Sequence, residues 1–70
     1  MTETLTLGEA YPREQERLRD LLVIYASIGP AGTFASILIK DCLARADQAA
    51  MEGDTIAMIR VYEEMKEFSA

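Results

Sequence analysis

Pro30-Ala31-Gly32-Thr33-Phe34-Ala35-Ser36-Ile37-Leu38-Ile39-Lys40-Asp41-Cys42-Leu43-Ala44-Arg45-Ala46-Asp47-Gln48-Ala49-Ala50-Met51, set between Gly29 and Gly53, is the stretch that decides the fold. Its apolar positions 35, 39, 42, 46 and 49 alternate spacings of four and three, the seam of a helix packed lengthwise on a neighbour. Phe34, Ile37 and Leu38 widen that seam near its start, so the helix needs cover from more than one side. Pro30 suits a first helical position and Gly53 a left-handed stop. The predicted helix covers residues 30–52.

Working outward, Gly53-Asp54 is too short a link to do anything but fold the chain back. Asp54 is a strong N-cap, and a third helix is predicted over 54–68, antiparallel to the second. Ile59, Tyr62, Met58 and Met65 form its expected core stripe. Upstream, Pro12 opens a predicted first helix over 12–28, with Leu18, Leu21, Leu22, Tyr25 and Ile28 as its core face. Val23 and Ile24 make its second half apolar nearly all round. Arg13–Glu16, Glu16–Arg19 and Arg17–Asp20 are pairs three apart, each a helix support of roughly 0.2–0.5 kcal/mol. Residues 1–11 read as an N-terminal arm. Thr6 and Glu9 have capping-box spacing, and Leu5, Leu7 and Tyr11 either fold back as a lid or belong to a frayed tail. The expected fold is all-α: a shorter N-terminal helix followed by an antiparallel helical hairpin.

A chain of 70 residues, half of them hydrophobic, makes one domain. Domains of this size bury only about 60% of their unfolded surface and often need a disulfide, a metal or a partner copy. The single Cys42 has no mate, and without histidine a structural zinc site is not expected. Self-association is the remaining remedy, so a homodimeric helical bundle is predicted. No stretch approaches the roughly 20 apolar residues that span a bilayer, and no signal-peptide pattern opens the chain; the expectation is a cytoplasmic protein without membrane contact.

The net charge of −5 is unevenly spread. Residues 1–45 carry six acids against five bases, whereas residues 46–70 carry six acids (Asp47, Glu52, Asp54, Glu63, Glu64, Glu67) against two bases (Arg60, Lys66). That balance opposes direct binding to nucleic-acid phosphates and suits either a basic protein surface or a merely solvated face. The Ile28–Thr33 corner would permit a helix-turn-helix, but the second helix offers only Lys40 and Arg45 to DNA. Chemistry fails the same inspection. No histidine is present, no hydroxyl or thiol neighbours a base, and Gly29 and Gly32 lack the lysine of a phosphate loop. No enzyme activity and no cofactor are expected.

The series Tyr11–Arg19, Ile28-Gly29-Pro30-Ala31-Gly32, Arg45-Ala46-Asp47, Met51-Glu52-Gly53-Asp54 and Ala57-Met58-Ile59-Arg60 resembles a family of small early proteins of transposable Pseudomonas phages, the phage quorum-sensing anti-activators. The resemblance implies a helical dimer in the host cell. It would inhibit a LuxR-type transcriptional activator by blocking its DNA binding, and also the ATPase that extends type IV pili. It carries over no inhibitory residue. On the occlusion mechanism it implies, Arg60, Tyr62, Glu63, Glu64, Met65 and Glu67 are the expected partner contacts. Phe34, Ile37, Leu38 and Cys42 are the expected dimer seam. A helical dimeric adaptor or phage assembly factor without inhibitory activity is the competing expectation.

Overall fold

Thr6 starts the first helix, and it does so earlier than Pro12 suggests. Its hydroxyl accepts from the Glu9 amide at 3.3 Å, while the Glu9 carboxylate accepts from the Thr6 amide. This closed capping box satisfies two amides that the first turn would otherwise leave open. In the computed structural model, which describes residues 6–69, the elements are α1 (Leu7–Ser27), α2 (Pro30–Glu52) and α3 (Thr55–Lys66). The chain is all-α, as its periodicity predicts.

Two boundary expectations are corrected. Helix α1 begins at Leu7 rather than 12, so Pro12 lies inside it. The proline lacks the N–H that would serve the Gly8 carbonyl, and Gly8 is exposed, where water can take that place. The N-terminal helix is consequently not the shorter one: it has 21 residues, and α3 has 12. Leu7 and Tyr11 do pack on the core, but as part of α1 and not as a separate lid; Leu5 lies outside the described residues.

Glycine marks both reversals. Gly29 at φ 80° separates α1 from α2, and Gly53 at φ 66° ends α2, with the Asp54 carboxylate accepting from Ala57 N at 3.1 Å to open α3. Helices α1 and α2 run antiparallel along their length. At one end the Tyr11 hydroxyl donates to the Ala46 carbonyl at 2.7 Å and Gln15 Nε2 to Asp47 Oδ1 at 2.8 Å. At the other, Gly32 lies directly against the Tyr25 carbonyl; a Cβ there would stand 1.8 Å from that oxygen.

The core joins Tyr11, Leu18 and Leu21 of α1 to Ile39, Cys42 and Ala46 of α2 and to Val61 and Met65 of α3. Positions 39, 42, 46 and 49 are buried as the seam requires, and Ala35 is half-buried. Ile28 and Ile59 were expected inside; both are exposed, and Val61 takes the place expected for Ile59. Burying Leu18, Ile39 and Met65 contributes about 1.5–3 kcal/mol each. Among the described residues every buried side-chain nitrogen and oxygen has a partner.

The molecule is flat, 37 × 33 × 14 Å, with a radius of gyration of 12.8 Å, against roughly 11 Å for a compact chain of this length. A thin layer of helices has little interior, and several large apolar side chains therefore remain on its surface. No described helix is long and apolar enough to cross a membrane.

Candidate functional site

Two arginines tie α3 to the other helices. Arg17 of α1 donates to the carbonyls of Met65 at 2.7 Å and Phe68 at 2.8 Å, and the Glu14 carboxylate holds its guanidinium from behind. The Met65 carbonyl also accepts from Phe68 N at 3.3 Å, so the guanidinium adds a second donor there and ties down the turn that follows α3. The Tyr25 hydroxyl donates to the Ser69 carbonyl just beyond. On the other flank, Arg45 of α2 bridges Asp41 and Glu64, each at 2.9 Å. The hydrogen bond from Arg45 holds the Glu64 carboxyl below its ordinary pKa, and the same bonds raise that of the arginine. Both partners are about half exposed, so water screens much of this interaction.

With those contacts made, Val61 and Met65 face inward, and Ile56, Ile59, Arg60, Glu63 and Glu67 lie on the outer side of α3. Of the expected partner contacts, Arg60, Glu63 and Glu67 are exposed together on this face. Glu64 is exposed but committed to Arg45. Tyr62 is half-buried on the adjoining flank, with Lys66 Nζ 5.2 Å from its ring centroid. Met65 is fully buried in the core, as the stripe of the third helix predicts, which corrects its place among the expected partner contacts: a side chain packed with Leu18, Ile39 and Val61 is closed to a partner. Ile56 and Ile59 join the face without having been expected there.

Between α2 and α3 runs an open groove of about 360 Å³, floored by Ala49, Ala57 and Val61 and edged by Arg45, Arg60 and Glu64. Arg45 is neutralised within it, which leaves Arg60 as its cation without an ionic partner among the described residues.

A second bare surface surrounds the α1–α2 corner. Phe34, Ile37 and Leu38 of the expected seam are exposed, and so are Val23, Ile24 and Ile28. Cys42, expected among them, is instead completely buried between the chain's own helices, and burial pushes its thiol pKa up. Helix α1 contributes to this surface through the half that reads as apolar nearly all round, although the expected seam named only α2 residues. A visible signal marks it: residues 21–39 contain no charged side chain.

Among the described residues no group of His, Cys, Asp and Glu gathers as a metal site. The chain matches no family model, and no curated protein or solved structure shows significant similarity to it.

Proposed function

We propose that this chain is a non-catalytic binding protein that acts as a homodimer and presents the outer face of α3 to a basic surface on a partner protein. One observation carries this reading. The face places the exposed side chains of Ile56 and Ile59 on the same side as Glu63, in the last turn of α3, and Glu67, its C-cap. The helix macrodipole disfavours acids there by about 0.3–1 kcal/mol each. Lys66 approaches Glu63 only to 3.8 Å with both side chains exposed, so this pair offsets little of that cost. An apolar pair ringed by carboxylates suits a partner with aliphatic contacts framed by Lys and Arg.

The resemblance to phage anti-activators makes the DNA-binding surface of a LuxR-type activator the partner of choice, with the pilus extension ATPase a second target. Covering that surface lowers promoter occupancy by mass action. The test is a pair of charge reversals, Glu63→Lys with Glu67→Lys, which spares the Arg45–Glu64 bridge. Capture of a LuxR-type activator by the wild-type chain, and its loss in the variant with helicity unchanged, is the expected result. Equal capture by both chains refutes the docking face. Failure of the wild-type chain to release the activator from promoter DNA refutes the inhibitory role.

A further inference from the structure

The two arginines that hold α3 also show where its cover ends. Arg17 and Arg45 mark the sides of α1 and α2 that face α3. Seven and eleven residues on from Arg17 along α1 bring the same side round to Ile24 and Ile28. Seven and eleven residues back from Arg45 along α2 bring it round to Leu38 and Phe34. Helix α3 stops at Lys66, and the residues just after it are tied at Arg17 and Tyr25 through the Phe68 and Ser69 carbonyls, so the helix does not reach this part of the hairpin. The side of the α1–α2 pair that α3 occupies at one end is therefore bare at the other. There Ile24 is 47%, Ile28 53%, Phe34 70% and Leu38 43% exposed. Val23 and Ile37 extend the patch along its outer edges.

We infer that this shelf beyond the C-terminus of α3 is a self-complementary, two-fold interface, in which Ile24 and Ile28 of one copy pack on Phe34 and Leu38 of the other. The inference rests on the homodimeric reading above and assigns its surface. Isologous pairing asks one patch to fit itself. An uncharged shelf built from one strip of each of two antiparallel helices meets that demand, closing a four-helix layer from two hairpins. The six bare residues together expose on the order of 600 Å² per copy, so covering all of them, Val23 and Ile37 at the edges included, buries about 1,200 Å² in a pair, the lower edge of a standard-size interface. A lipid surface is the less suitable occupant, since the chain's net charge of −5 is repelled by anionic membranes.

The test compares three full-length chains by sedimentation at micromolar concentration: wild type, Ile28→Glu with Phe34→Glu, and Glu63→Lys with Glu67→Lys. All altered positions are exposed, and circular dichroism verifies that helicity is kept. The expected result is a two-copy mass for the wild type and for the α3 variant. The shelf variant should sediment as a single copy, its dissociation constant raised at least about 100-fold by charges brought into an apolar contact. A shelf variant that stays dimeric overturns the assigned surface while the homodimer itself stands. A wild-type chain that sediments as one copy overturns both. A single-copy wild type that floats with phosphatidylcholine vesicles overturns the inference in favour of a lipid-facing tip.

Discussion

Replacing Gly32 with alanine separates two physical effects of opposite sign. Gly32 lies in the first turn of α2, and helix propensity alone makes Gly→Ala favourable by about 1 kcal/mol. The packing says otherwise. A Cβ at this position would stand 1.8 Å from the Tyr25 carbonyl oxygen, 2.7 Å from its carbon and 2.8 Å from Ile28 Cγ1. The first two are backbone atoms of α1 and cannot rotate away. Ordinary contact begins near 3.4 Å, so the two helices must part by about 1.5 Å at the corner. That displacement loosens the seam in which Leu18 and Ile39 are buried. Overpacking costs about 1–3 kcal/mol when side chains can adjust; a backbone obstacle places this case at or above the upper end. Net of propensity, a loss of at least about 2 kcal/mol is expected, out of roughly 4–10 kcal/mol for a domain of this length. At 4–8 °C per kcal/mol, the melting temperature should fall by at least about 8–16 °C. Thermal and urea unfolding followed by circular dichroism measure it. Gly8→Ala is the control, because its Cβ would meet only Thr6 Oγ1 at 3.9 Å; it should leave stability unchanged or slightly raised. A Gly32→Ala chain that melts at or above the wild-type temperature refutes the close crossing of α1 and α2.

Tyr11→Phe removes the hydroxyl that donates to the Ala46 carbonyl and should cost about 1 kcal/mol in urea unfolding. Burial, then Asp47 and Cys42, raise the Tyr11 pKa above its ordinary 10. Its contribution is thus fully present below pH 10 and lost as pH rises through the higher folded-state value, because the unfolded chain releases that proton first; in Tyr11→Phe this part of the alkaline loss should be absent. Arg17→Met should free the end of α3, since the Met65 and Phe68 carbonyls lose the guanidinium that ties them to α1. Amide exchange in α3 should quicken several-fold, while the first half of α1 keeps its protection. Equal protection of α3 in both chains would show that the clamp does not hold it.

The turns and the seam were legible in the residues themselves because they depend on local chemistry. Glycine takes a positive φ at 29 and 53, Asp54 supplies an oxygen to a free amide, and small or aliphatic residues at 39, 42, 46 and 49 repeat at helical spacing. The capping box at Thr6 was legible too, but not its consequence. It carries the helix through Pro12, where Tyr11 reaches Ala46, a contact 35 positions away in the chain. The burial of α3 was undecidable from its pattern. Ile56, Met58, Ile59, Val61, Tyr62 and Met65 lie at nearly every angle around it, so periodicity offers several stripes of similar hydrophobicity. The stripe that turns inward is the one whose Val61 and Met65 pack with Leu18, Ile39 and Cys42 of the other two helices, with Arg17 tying the end of α3 to α1. The same packing buries Met65, exposes Ile59 and leaves the corner at Phe34 uncovered. Local sequence determined where this chain bends and which residues can form helices. Only the tertiary structure decided which faces meet, because that choice rests on contacts between residues far apart in the chain.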